Sequence, residues 1–410
     1  MSDAPAATRA ASTPRVGDAS PSPCPACAGN ASRIIYAVDN IPVHSCILMR
    51  TREEALNYPR RDLRLAACPD CGFVYNAIFD HTVHEYSAKY EETQGFSPTF
   101  NAFARDLARR AVEKYDVRNK TVLEIGCGKG EFLVLLCELG PNRGIGLDPG
   151  YDPARTESEA ASRIEFIRDF YGPAYRHLTA DFVVCRHTLE HIAPVAGFMR
   201  DLRDTIDRQR STLFFELPDV LRVLTEGAFW DIYYEHCTYF TCGSLARLFR
   251  ATKFDVTDLT LEYDGQYIIL GAVPTEAPTE PRLPLENDQA ELTRAIDAFP
   301  RVVQRVIGHW RQTVENALRA HKRVLVCGSG SKGVSFLTTL GITEGIEHVV
   351  DINPHKHGRF MPATGQEIIS PERAAMLKPD LVIVMNPIYV PEITRQLASL
   401  GVIGAEVVAV

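Results

Sequence analysis

The sequence predicts an α/β protein in which two Rossmann-like units of parallel strands and helices follow a small cysteine-bearing module. Three observations predict it. "KTVLEIGCGKGEFLVLLCELG" and "RVLVCGSGSKGVSFL" each read as a buried strand, a glycine turn and a helix, and each precedes a strand with an acidic end, Asp148 in "RGIGLDPG" and Asp351 in "IEHVVDINPHKHG". Two Cys-x-x-Cys pairs stand near the N-terminus. The stretch "PTEAPTEPRLP" separates the two α/β units and is too rich in proline for a helix or a central strand.

At 410 residues the chain exceeds one ordinary domain. Residues 1–20, "MSDAPAATRAASTPRVGDAS", lack the apolar core of a secretion signal and read as a disordered tail. The cysteine module follows over 21–80, then the first α/β unit over 81–273, opening with a loop and an amphipathic helix in "EYSAKYEETQGFSPTFNAFARDLARRAVEKY". A linker is expected over 274–285. The remainder, 286–410, begins with a spacer helix marked by Leu292, Ile296, Val302, Val306, Trp310 and Val314 and ends in the second unit.

A formal net charge of -8 argues against nucleic acid or an anionic membrane as partner, and no apolar run is long enough to span a bilayer. A small-molecule substrate and a cytoplasmic location are expected. The sequence does not fix the oligomeric state. Without an export signal the cysteines are not a disulfide framework. Cys24, Cys27, Cys68 and Cys71 supply four thiolates, the tetrahedral set of a structural Zn²⁺ site with no position left for catalysis. Some inserted structure must bring the two pairs together.

Gly126, Gly128 and Gly130 let the backbone approach a ligand closely, and Asp148 can accept hydrogen bonds from ribose hydroxyls. A dinucleotide and S-adenosylmethionine (SAM) both fit that pattern. Glu124, inside the strand before the turn, makes "LEIGCG" resemble the "E/DxGxGxG" motif of class I methyltransferases. Asp169 and Phe170 of "FIRDFYG" suit an adenine amine and ring face, and "CRHTLEHI", with His187, resembles the segment after the fourth strand of those enzymes. In the second turn Gly328, Gly330 and Gly333 match weakly, so that unit is expected to grip substrate, with Lys332 suited to a phosphate.

The double cysteine module, "TLEHI", "IYYEHCTYF" and "DINPHKHGRFMP" together resemble the nucleotide-sugar C-methyltransferases of deoxysugar pathways over nearly the whole chain. That resemblance implies a SAM-dependent enzyme that deprotonates a nucleotide-linked 4-keto sugar and methylates the enolate. It implies His236, Glu235, Tyr233 and His191 as catalytic residues, and aligns Tyr90 of "AKYEETQGFS" with an aromatic residue on the substrate side. His236 is then the base, oriented by Glu235, while Lys332, Lys356 and Asn386 hold the donor. The turn "GCGKGEF" lacks the family's Asn-Asp-Gly, and the second turn carries Ser-Lys, which marks a divergent branch. Two other readings stay open: O- or N-methylation of another sugar or natural-product intermediate, and a non-catalytic SAM- or nucleotide-binding scaffold with a zinc interaction module.

Overall fold

The computed structural model describes residues 23–83, 90–206, 211–279 and 282–410. The tail expected over 1–20 lies outside the described residues, as do Glu280 and Pro281 of the expected linker. Three sheets organise the chain. In the first, β1 (Arg33–Pro42), β2 (Arg60–Ala67) and β3 (Val74–Asn76) run antiparallel, with the short helix α1 (Arg52–Leu56) between β1 and β2. Arg33 pairs with Ala67, so the long β1–β2 arm returns Cys68 beside the chain that carries Cys24. That arm is the inserted structure the wide cysteine spacing requires.

Helix α2 (Pro98–Lys114) leads into the second sheet, its first turn capped by the Ser97 side chain. The strands β4 (Thr121–Ile125), β5 (Arg143–Leu147), β6 (Ile164–Ile167), β7 (Phe182–Arg186) and β8 (Thr212–Pro218) are parallel. Helices α3 (Glu131–Leu139), α4 (Val195–Thr205), α5 (Val220–Glu226) and α6 (Cys242–Ala251) accompany them. A two-residue strand, β9 (Thr238–Tyr239), leaves this unit and pairs with β3 of the first sheet. Two antiparallel strands, β10 (Phe254–Glu262) and β11 (Tyr267–Pro274), complete the order β10-β11-β8-β7-β4-β5-β6.

The long helix α7 (Gln289–Arg319) occupies the expected spacer position and continues through Pro300. Its buried face, including Leu292, Phe299, Val303 and Trp310, joins one hydrophobic core with Tyr36, Trp230 and Phe336 from the other units. The final sheet is parallel throughout, in the order β14-β13-β12-β15-β16. Its strands are β12 (Val324–Cys327), β13 (His348–Val350), β14 (Glu367–Ile369), β15 (Leu381–Val384) and β16 (Glu406–Ala409). Helices α8 (Ser331–Leu340), α9 (Pro371–Met376) and α10 (Val390–Ser399) cover it.

In the parallel part of each α/β sheet the first strand, β4 or β12, has its successor on one side and a later strand on the other. Each glycine turn therefore sits at the point where strand order reverses, the place where open α/β sheets bind ligands. The residues of both turns line one cavity of about 1340 Å³. No helix among the described residues is long and apolar enough to cross a membrane.

Candidate active site

The first glycine turn is shaped by contacts that exclude side chains. Gly126 has φ +71°, and a Cβ there would fall 2.0 Å from Thr188 Oγ1. The Gly128 amide donates to Asp148 Oδ2 at 2.9 Å, and the Gly150 amide donates to Oδ1 at 2.7 Å. Asp148 thus stands over the turn, at the rim of the cavity, where ribose hydroxyls can reach it. Gly130 differs from expectation: it caps the start of α3 and does not line the cavity. Asp169 and Phe170 lie on the rim, Asp169 accepting from Tyr175 Oη at 2.6 Å and Phe170 leaving 60% of its surface exposed. An apolar ring held open in this way is a platform for a flat ligand.

Beneath the turn is a buried group of charges. Burial pushes the Glu124 carboxyl up to about 8, against the pull of Arg186, so it is neutral near pH 7. Arg186 pairs with Glu216 and places its guanidinium 3.9 Å from the centre of the Phe132 ring. His187 takes the left-handed backbone conformation, φ 48°, with its ring nitrogens 3.3 Å from Glu216 Oε1 and 3.6 Å from Glu190 Oε1. Burial opposes a charge on His187, but the two carboxylates outweigh it and raise the imidazole to about 9. Burial works against Glu216 as well, yet Arg186 and His187 hold it down to about 2.

The segment after α5 carries the residues the resemblance singles out. Its backbone is fixed from two sides: Val74 pairs with Tyr239, and the Val220 amide donates to the Phe240 carbonyl at 2.7 Å. Just ahead of these fixed points His236 faces the cavity with Tyr233 and His191. The His236 ring is 4.2 Å from Tyr233 and 4.7 Å from His191, measured between centres. Burial and the neighbouring His191 lower His236 to about 3, so the imidazole is neutral. Burial also raises the Tyr233 hydroxyl well above its ordinary range, keeping it a proton donor.

Glu235 requires a correction. The expectation that it orients His236 is replaced by a different geometry, because its carboxylate turns away from the cavity. It accepts from the Ser45 amide at 3.1 Å, Tyr90 Oη at 2.8 Å and Ser331 Oγ at 3.4 Å, with His44 Nδ1 at 3.3 Å. Those partners belong to the cysteine module, the segment after it and α8. The carboxylate grouped with both histidines is Glu190, whose ligand atoms and theirs lie within 4.8 Å of one another. Glu235 lies in a turn, from which its side chain leaves toward His44 and Tyr90 while that of the next residue, His236, faces the cavity. Glu190 stood inside the quoted "TLEHI", and only its place after β7 shows its neighbours.

On the opposite wall the second α/β unit presents Lys332 from the start of α8, Lys356 from after β13 and Asn386 from after β15 to the cavity. Lys332 is paired with Asp231, which also lies 3.4 Å from Arg222. Lys356 is 3.6 Å from Asp351. Asn386 exchanges hydrogen bonds with Gln266 at 2.9 and 3.0 Å, so it ties the two α/β units together. Arg222 and Gln266 were not apparent from sequence spacing, since each acts through a distant partner. The four thiol sulfurs of Cys24, Cys27, Cys68 and Cys71 gather at the end of the first sheet, at 3.7 Å for Cys24–Cys71 and 3.6 Å for Cys27–Cys68. A tetrahedron with Zn–S bonds of about 2.3 Å has edges of about 3.8 Å, so the set fits zinc.

Residues 98–259 match the family model for a methyltransferase domain, and residues 285–410 match that for the C-methyltransferase C-terminal domain. The chain is 28% identical over 305 residues to the C-methyltransferase NovU of Streptomyces niveus, covering 70% of this chain and 72% of that protein. Among solved structures it is similar to CalO1, a methyltransferase in calicheamicin biosynthesis, at 17% identity and TM-score 0.34 over 43% of this chain and 55% of that one. The magnesium protoporphyrin IX methyltransferase ChlM of Synechocystis is 16% identical at TM-score 0.33, over 43% of this chain and 84% of that one. At such TM-scores neither structure bears on the argument. The glycine turn, the matched domain and the curated relative define a SAM-dependent methyltransferase. The two matches place a methyltransferase domain and a C-methyltransferase C-terminal domain in one chain.

The charge group below the turn gives a pH dependence with a definite sign. His187 is raised from 6.5 to about 9, so its contribution to stability is complete below pH 6.5 and is lost as pH rises through 9. Replacing His187 by Gln is expected to remove a decline of about 2 kcal/mol in unfolding free energy across that window, after allowance for a partly exposed ring. Denaturant unfolding of both proteins at several pH values measures it. Parallel pH profiles would show that the two carboxylates do not hold the proton.

Proposed function

We propose that this methyltransferase alkylates carbon: it removes a proton beside the ketone of a nucleotide-linked 4-keto sugar and methylates the resulting enolate. The observation that carries the reading is the His191–His236–Glu190 group, set with Tyr233 in the single cavity that joins the SAM turn to the second glycine turn. Hydroxyl and amine acceptors are activated more easily than a C–H bond, which needs a dedicated base. NovU and the C-terminal family model, both C-methyltransferases by description, agree with carbon as acceptor.

When bound, SAM supplies an electrophilic methyl group; Glu124, Gly126, Gly128, Asp148, Asp169, Phe170 and His187 surround the place for it. His236 takes the proton. Its ring is neutral and therefore has a free lone pair, although burial also makes it a weak base. Glu190 and Glu235 pull the other way, since their charges favour an imidazolium, but burial and His191 outweigh them. The Tyr233 hydroxyl donates to the developing enolate oxygen. Lys332, Lys356 and Arg222 are the cavity-lining cations available to a diphosphate, which would compete there with their present partners Asp231 and Asp351.

The test is exchange in deuterated buffer with S-adenosylhomocysteine in place of SAM. Deuterium is expected to enter the carbon beside the ketone of a nucleotide-linked 4-keto sugar, and His236→Ala is expected to slow that entry by ~10²–10⁴-fold while leaving S-adenosylhomocysteine affinity unchanged. Methylation without exchange would make oxygen or nitrogen the acceptor. Exchange at full rate in His236→Ala would assign the proton to another group.

We also propose that the four cysteines hold one structural zinc. Cys68→Ser is expected to lower metal content and thermal stability together, since metal binding there is coupled to folding. Metal-free protein of unchanged stability would exclude the site.

A further inference from the structure

The segment from Tyr90 to Ser97 crosses the first glycine turn as a strap. It is tied down on every side. The Tyr90 carbonyl accepts from Lys129 Nζ at 3.0 Å; Glu91 accepts from Arg155 at 2.8 and 3.2 Å and from Asn353 Nδ2 at 2.8 Å. Gln94 Oε1 accepts from Tyr389 Oη at 2.8 Å, and Ser97 Oγ donates to Glu392 at 2.8 Å. A strap so held has little freedom to move its side chains.

Glu92 sits in the middle of it and lines the cavity. Its Oε1 lies 2.9 Å from the point where a Cβ on Gly128 would be, directly against the turn. Its Oε2 is buried and has no hydrogen-bond partner among the described residues. The nearest cation, Lys129 Nζ, is 3.9 Å away and already donates to the carbonyls of Tyr90 and Gly150 at 3.0 and 2.9 Å. That separation is too long for a hydrogen bond. Burial pushes Glu92 up to about 7, with Lys129 pulling down and Asp148 and Glu91 adding to the rise. The side chain keeps 34% of its surface open, so its unpartnered Oε2 is within reach of a cation that enters the cavity.

The cofactor carries two cationic groups, a sulfonium and the ammonium of its methionine portion. Only the ammonium has N–H donors for an unpartnered carboxylate oxygen. Asp148, on the other side of the Gly128 amide, has the geometry for ribose hydroxyls. We propose that Glu92 is the anchor for the ammonium of the cofactor's amino-acid end, and that the strap fixes it against the glycine turn for that purpose. The role concerns cofactor binding alone and does not depend on the acceptor or on carbon chemistry.

The experiment compares two ligands on wild-type protein and Glu92→Gln by calorimetry. One is S-adenosylhomocysteine, which has no sulfonium charge and keeps the ammonium. The other is 5′-S-(3-carboxypropyl)-5′-thioadenosine, the same thioether without the amine. Glu92→Gln is expected to weaken S-adenosylhomocysteine by roughly 10–100-fold, as for loss of a charge-assisted hydrogen bond, and to leave the des-amino ligand unchanged. Equal weakening of both ligands would make Glu92 a support of the turn, and no weakening of either would leave the ammonium to the backbone; each result overturns the proposal. Glu92→Asp, which keeps the charge on a shorter arm, is expected to recover part of the lost affinity. Failure to recover any, in a folded variant, also counts against it.

Discussion

A buried carboxylate with partners from three parts of the chain holds this cavity together. Glu235 is fully buried, with His44, the Ser45 amide, Tyr90 and Ser331 converging on it; burial works against its charge, yet His44, His191 and Tyr90 lower it to about 2. His44 and Ser45 follow β1, Tyr90 belongs to the strap, and Ser331 begins α8. A charge removed from water is costly unless each partner is in place. The arrangement of the cysteine module and the second α/β unit around the first is thereby coupled to one side chain.

That coupling explains the unusual position of the chemistry. The segment bearing Glu235 and His236 is a connection of the second sheet that runs directly into β9, the edge strand of the first sheet. One residue of the adjacent pair serves architecture and the other faces the cavity. His236 meets His191 and Glu190 from the end of β7, and the second glycine turn closes the far wall. The same division recurs on the strap, where Glu91 binds Arg155 and Asn353 while Glu92 faces the glycine turn.

Much of the fold was legible in the sequence because its signals are local. A run such as Val122 to Ile125, a turn of glycines and an apolar helix need no distant information, and α7 follows its periodicity through Pro300. The cavity-lining residues followed from motifs with fixed spacing, as with Asp148 and His191. What sequence could not show was the partner of each charge. Glu235 and His236 are neighbours in the chain but not in function, and Glu190, Glu92, Arg222 and Gln266 gain their meaning from residues far away in sequence. The motif counts glycines alike, whereas the structure puts Gly126 and Gly128 on the cavity wall and Gly130 at the start of α3.

The claim that one carboxylate gathers the three parts is tested most directly by native-state hydrogen exchange of the Ser45 amide in Glu235→Ala and Glu235→Gln. In the wild-type protein that amide donates to Glu235 Oε1 at 3.1 Å from a buried residue, and slow exchange is expected. Loss of the carboxylate orphans the donor and strands His44, so Glu235→Ala is expected to unfold with about 3–5 kcal/mol less free energy and to expose the Ser45 amide to solvent. Glu235→Gln, which keeps an acceptor oxygen, is expected to fall between the two. Wild-type stability with an equally protected Ser45 amide in Glu235→Ala would contradict the account, because the three parts would then be held by packing alone.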